Sequence, residues 1–190
     1  MSIGGRDELR AAQAPLKDLY RLEPERALTP VRAAADFSEP GITATVAGWA
    51  GPVRSGLHPV TGGDGSDACS ADLLMQALVA CVGVTLRSVA TAMGLELRSA
   101  SLVAEAVFDA RGTLGLDRAV EVGVQGTRVV ATLDVDADDA ALARLAASTE
   151  RYCVVGQSLR HPPVLEIRRA GTAASTAGAA DAAADTEPRS

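Results

Sequence analysis

The sequence predicts an α+β fold, and three observations carry that reading. Two long segments, residues 70–93 and 137–159, repeat apolar residues at helical spacing. Short runs with alternating apolar residues lie before, between and after them. The connections between successive strand patterns are short and turn-rich, which suits an antiparallel sheet. At 190 residues the chain fits one domain with appendages, long enough to bury a core without staples.

The first segment, "DELRAAQAPLKDLYRL", sets Leu9, Ala12, Leu16, Leu19 and Tyr20 at helical spacing and predicts an amphipathic helix. Pro15 would cost about 3 kcal/mol inside it, so a break is expected with Pro15 opening a second piece. Pro24 and Pro30 then stop helical structure. "GITATVAGWA" alternates Ile42, Ala44 and Val46 against Thr43 and Thr45 as a strand does. Trp49 falls out of that register, and Gly48 before it suggests a bulge. Residues 55–66, "SGLHPVTGGDGS", are turn chemistry throughout, with glycines at 56, 62, 63 and 65. The lysine and following Ser/Thr of a phosphate-binding loop are absent, so this stretch reads as a connecting loop.

The segment "SADLLMQALVACVGVTLRSVATAM" has Ser70 as N-cap, Asp72 in the first turn where the helix dipole favours it, and Gly94 as a stop. Leu74, Leu78, Cys81, Thr85 and Val89 fall on neighbouring turns and the other faces are apolar too, which predicts burial nearly all round. Three strand patterns follow, "SLVAEAVFDA", "RAVEVGVQG" and "TRVVATLDVD", the first two joined through "RGTLGLDR". The helix over 137–159 starts at Asp138 or Asp139 and carries Leu142, Leu145, Ala146, Thr149 and Cys153 in register. "PPVLEIRRA" supplies a last strand. The expected organisation is a helical extension over 1–36, a main domain over 37–170 and a low-complexity tail over 171–190. The tail has no large apolar residue to offset its ordering entropy.

A net charge of −6 and a pI near 4.9 speak against nucleic acid as a partner. The N-terminus is charged where a signal peptide needs an apolar stretch, and no run reaches the ~18 apolar residues of a membrane helix, so a cytoplasmic protein with no membrane partner is expected. The three cysteines, Cys69, Cys81 and Cys153, are odd in number and irregularly spaced, unlike a disulfide framework. In a reducing compartment such thiols are free, metal-bound or catalytic. Two histidines without CxxC or HxxxH spacing do not predict a metal site.

Cys81 and Cys153 both lie on the apolar stripe of a long helix, where cysteine commonly serves as a small hydrophobe. Helices that share a core can also bring two such residues within disulfide reach, which needs Cα atoms about 4.4 to 6.8 Å apart. Cys69 precedes Cys81 by twelve residues. That is about 18 Å of helix, which keeps the two apart. A working thiol needs a neighbour that stabilises its thiolate. Cys81 is in mid-helix, so an arginine from elsewhere is expected, with a carboxylate to hold it. Arg26, Arg32, Arg54 and Arg111 are all open by sequence. A cysteine hydrolase using His58 ("LHPV") or His161 ("RHPP") as base is the other chemistry available, but it leaves the second buried cysteine idle.

"DLLMQALVACVGVTL" around Cys81 and "ERYCVVGQSL" around Cys153, 72 residues apart, together resemble the osmotically inducible protein C / organic hydroperoxide resistance (OsmC/Ohr) superfamily. "SGLHPVTGGDGSDACSADLL", "RGTLGLD" and "AAQAPLKDLYR" are similar to a longer branch with an added N-terminal helix. The resemblance implies antiparallel sheets enclosing two long central helices in an intertwined homodimer, with active sites at the subunit interface. It implies a thiol peroxidase acting on organic hydroperoxides, with Cys81 peroxidatic and Cys153 resolving. It implies no cofactor, only an external dithiol or lipoyl-type reductant. Where the best-studied branch has a glutamate holding the catalytic arginine, this chain has Ala71; Asp72 matches the acidic residue of other branches. Arg54, beside the loop leading to the Cys81 helix, is the arginine candidate. A non-catalytic member that binds a small apolar molecule at the dimer interface is the alternative implied.

Overall fold

The computed structural model describes residues 3–37 and 39–171. The expected tail therefore lies, from residue 172 onward, outside the described residues. Helix α1 (Arg6–Leu22) leads into a 3-10 turn at Pro24–Ala27. The break expected at Pro15 does not occur, and α1 runs through it. Ala11, whose carbonyl loses the missing N–H, is exposed, as is Pro15, so water can replace the lost hydrogen bond.

The first sheet has the order β1 (Ala35–Asp36), β2 (Thr43–Gly48), β3 (Gly51–Gly56) and β4 (Ala68–Cys69). Gly48 pairs with Gly51, so Trp49 and Ala50 form a two-residue hairpin loop in place of the expected bulge. The chain turns at Trp49, and its indole is fully exposed. A Cβ on Gly48 would lie 2.7 Å from the Gly51 carbonyl oxygen, so this tight turn requires glycine.

Helix α2 (Ser70–Met93) ends at Gly94 in the left-handed conformation, φ 76°, as its sequence predicts. The second sheet, β5 (Leu97–Val107), β6 (Gln125–Val135) and β7 (Val164–Arg169), follows it. The short helix α3 (Ala110–Thr113) lies between β5 and β6, and α4 (Asp139–Tyr152) and α5 (Val154–Ser158) lie between β6 and β7. β5 and β6 are antiparallel, but β6 and β7 are parallel, as are β3 and β4. The sheets are thus mixed where antiparallel pairing was expected; in the second sheet the connection through α4 and α5 is the long crossover that parallel strands need.

Of the strand expected over 118–126, only Gln125 and Gly126 form, as the start of β6. The carboxylate of Asp117 accepts the Ala119 N–H at 2.9 Å, and the Gln125 side chain donates to the Glu121 carbonyl at 3.1 Å. These bonds hold the segment as a loop, and its alternation turns Val120 and Val124 into a cavity wall instead of a ladder.

One face of the second sheet builds the core. Val129, Ala131 and Leu133 alternate inward along β6 against Leu78, Val82, Leu86 and Ala90 of α2 and Leu142 and Leu145 of α4. Each fully buried leucine stabilises the fold by roughly 1.5–3 kcal/mol. The expectation that α2 is buried nearly all round fails, because this single chain covers only one of its sides. Ala77, Ala80 and Val84 are exposed, Val84 at 74%. Contrary to the sequence reading, α2 is by length and composition apolar enough to cross a membrane, although here it is a core helix seated on the sheet.

Candidate active site

Cys81 sits at the middle of α2, half-buried and packed against the core, while Cys153 is 1% exposed within it. The structure brings these two together, and both are free thiols. The helix expected over 137–159 breaks at Cys153, which has extended backbone (φ −75°, ψ 103°) and separates α4 from α5. Its sulfur accepts the Gly156 N–H at 3.3 Å, and the Gln157 side chain donates to the Glu150 carbonyl at 2.9 Å across the break. Cys153 thereby closes α4 and serves as the N-cap of α5.

The break matters for Cys81, because it turns the amides that open α5 toward that sulfur. Burial penalises the Cys81 thiolate, but the N–H of Val155, the Cys153 thiol, the Thr85 hydroxyl and the N–H of Val154 more than offset it. The result is a pKa below the ordinary thiol value. Cys153 moves the other way: burial raises its pKa, the Gly156 amide opposes, and the neighbouring Cys81 sulfur raises it further. One thiol is thus biased toward thiolate and its neighbour is held protonated.

The expected arginine is not among the principal groups acting on Cys81. The guanidinium of Arg54 is held by Glu39 at 2.9 Å and Asp67 at 3.3 Å. Arg26 pairs with Glu23 and Arg111 with Asp109, while Arg32 lies exposed before β1. Asp72 is exposed in the first turn of α2 and does not meet Arg54; it lines a cavity of about 300 Å³ with His58, Met75 and Phe108. Sequence reasoning missed the Val154 and Val155 amides and Thr85. "CVVG" was the available signal for the amides, and Thr85 already lay one turn from Cys81 on the same stripe.

Neither histidine serves the thiols. His58 accepts the Val60 N–H through Nδ1 at 3.1 Å and meets Phe108 edge-on at 5.6 Å. His161 faces Glu121 at 3.2 Å. Each is occupied away from the cysteines, which leaves the hydrolase arrangement without its base. Cys69 closes β4 opposite Gly56 and precedes α2 as its N-cap residue. A larger cavity of about 650 Å³ opens between Leu74 at the start of α2, the loop carrying Val120 and Val124, and Leu159 beyond α5.

A family model described as OsmC-like protein matches residues 63–168, more than half of the sequence. The chain belongs to the OsmC-like family. Solved structures agree with its α+β fold. An OsmC-like protein of unknown function from Vibrio cholerae superposes with a TM-score of 0.61 at 11% identity, over 74% of this chain and 99% of that one. An OsmC-like protein from Mycoplasma pneumoniae gives 0.59 at 11%, over 75% and 96%. An organic hydroperoxide resistance protein from Elizabethkingia anophelis gives 0.58 at 13%, also over 75% and 96%. A search of the curated proteins finds no match. The OsmC-like match includes both Cys81 and Cys153, whereas α1 and Arg54 precede it. The added helix of the longer OsmC-like branch corresponds to α1.

Proposed function

We propose that this OsmC-like protein is a thiol-dependent peroxidase that reduces organic hydroperoxides. The observation that carries the reading is the opposed bias of two adjacent thiols, Cys81 toward thiolate and Cys153 toward the protonated form. The Cys81 thiolate attacks the terminal oxygen of the hydroperoxide, the O–O bond breaks, and the alkoxide leaves and takes a proton from solvent. Cys81 is then a sulfenic acid. The Cys153 thiol condenses with it, forming the Cys81 to Cys153 disulfide and releasing water. An external dithiol of lipoyl type returns both residues to thiols by exchange, becoming a disulfide itself. This sequence needs no bound cofactor.

The amides of Val154 and Val155 take the supporting role that an arginine was expected to fill. The apolar residues packed around Cys81 suit an organic hydroperoxide better than hydrogen peroxide. The uncovered face of α2 supports a homodimer, since Ala77, Ala80 and Val84 form an apolar surface that a second copy would bury. The extension, main domain and tail divide the chain in this reading at residues 36 and 170.

The alternative is a non-catalytic protein that binds a small apolar molecule, favoured by the two cavities that flank the start of α2. Consumption of cumene hydroperoxide in the presence of a dithiol, wild type against Cys81→Ser, separates the two. The peroxidase loses its turnover in the variant; equal rates end that reading.

A further inference from the structure

Arg6, Arg10, Gln13 and Lys17 recur on α1 at intervals of four, three and four residues. At 3.6 residues per turn they fall within about 60° of one another around the helix. All four line a single cavity of about 240 Å³ between α1 and the end of α2, closed on its apolar side by Leu9 and Ala92. Among the described residues, no carboxylate lines it. Among the described residues, Arg6, Arg10 and Lys17 form no ion pair, whereas Arg21 on the same helix pairs with Asp18. Three unpaired cations thus converge on one hollow in a chain of net charge −6.

This arrangement runs against what stabilises a helix. Arg6 and Arg10, one turn apart, repel, and Arg6 opposes the helix dipole that Asp7 and Glu8 in the same turn favour. Arg6 has a partial compensation: a Cβ on Gly94 would lie 3.8 Å from its Nη1, so the guanidinium lies over the C-terminal end of α2, where the backbone dipole is negative. Arg10 and Lys17 have no such partner. A compact anion in the cavity would neutralise the repulsion, and Gln13 adds an amide donor.

We propose that the α1–α2 cavity is a binding site for a phosphate group, carried by a small phosphomonoester or as the free ion. A dianion matches several converging cations better than a monoanion does, and the volume suits a phosphate with a short organic substituent. The apolar floor of Leu9 and Ala92 accommodates that substituent. The site lies on α1, before the first residue of the family match, and is independent of the thiol pair.

The test titrates the full chain at low ionic strength with glycerol 3-phosphate, inorganic phosphate and, as uncharged control, glycerol, following binding by calorimetry. Wild type is compared with the Arg10→Gln/Lys17→Gln double variant, whose substituted positions are exposed and whose folding is verified by circular dichroism. The expected result is saturable binding of a phosphate compound, weakened about ten-fold or more in the variant, with no binding of glycerol. Tighter binding of glycerol 3-phosphate than of phosphate assigns the site to a phosphomonoester; equal binding assigns it to the free ion. Absence of saturable binding in the wild type, or equal affinity in wild type and variant, overturns the proposal.

Discussion

The sulfur of Cys153 accepts a hydrogen bond from the amide of Gly156 at 3.3 Å, and the same glycine leaves room for that sulfur. A Cβ at residue 156 would stand 3.3 Å from the Cys153 sulfur and 3.3 Å from Cγ of Pro163. Cys153 is buried and the ring of Pro163 is rigid, so neither neighbour gives way without a shift of backbone. Gly156→Ala is therefore expected to destabilise the fold by about 1–3 kcal/mol through overpacking and to displace Cys153. Urea denaturation measures the first effect, and slower peroxide-induced loss of the two thiols measures the second.

The opposed thiol shifts give a pH dependence of defined sign. A lowered pKa means that the Cys81 thiolate forms at lower pH than an ordinary thiol, so its alkylation by iodoacetamide should reach half its maximal rate below the ordinary cysteine value. Cys153 should react later and only at higher pH, because its pKa is raised. Cys153→Ala removes a donor to the thiolate, so the Cys81 midpoint should rise. Mass spectrometry of the alkylated peptides across pH distinguishes the two sites; a Cys81 midpoint unchanged by Cys153→Ala would remove Cys153 from its surroundings.

Arg54 and Asp72 are expected to matter little to the thiol. Arg54→Ala frees Glu39 and Asp67 but touches none of the principal groups that shift Cys81. The alkylation profile should be that of the wild type, and so should the profile of Asp72→Asn. An upward displacement of the midpoint in Arg54→Ala would restore the arginine to the site.

Two substitutions on α2 should separate folding from association. Leu78 is 0% exposed, and Leu78→Ala should cost about 2–5 kcal/mol of stability by opening a cavity in the core. Val84 is 74% exposed, so Val84→Asp should leave the single chain folded but prevent a second copy from covering α2. Light scattering after size exclusion should report a dimer for the wild type and a monomer for Val84→Asp. The same mass for both proteins would rule out this face as the interface.

The parts legible in the sequence are those governed by local pattern. The α2 end follows from the left-handed Gly94, and its start falls at Ser70, although the N-cap is Cys69 and not Ser70 as expected; β6 shows its alternation in the burial of Val129, Ala131 and Leu133. The two cysteine stripes allowed their meeting, because helices that share a core can bring such residues within reach, and the family resemblance implied it. What escaped depends on contacts between distant segments. Alternation at 118–126 looks like a strand until Asp117 and Gln125 take up its polar groups. The apolar content of α2 predicts burial, yet one chain offers only one covering surface. Activation of Cys81 was sought from an arginine because mid-helix sulfur has no helix end of its own, and the amides instead come from a helix that breaks 72 residues later.

The parallel pairing of β6 and β7 also sets an order of events during synthesis. Cys153 stands on the crossover between those strands, between α4 and α5. Such pairing is slow because a long loop must close before any contact repays its entropy. α2, by contrast, leaves the ribosome early and forms from local interactions. Until α4 and α5 pack against it, the nascent α2 carries Cys81 without its neighbour and without the amides of α5. In the function proposed above, that thiol is then neither activated nor resolvable, so the thiol chemistry would begin only once the crossover has folded onto α2.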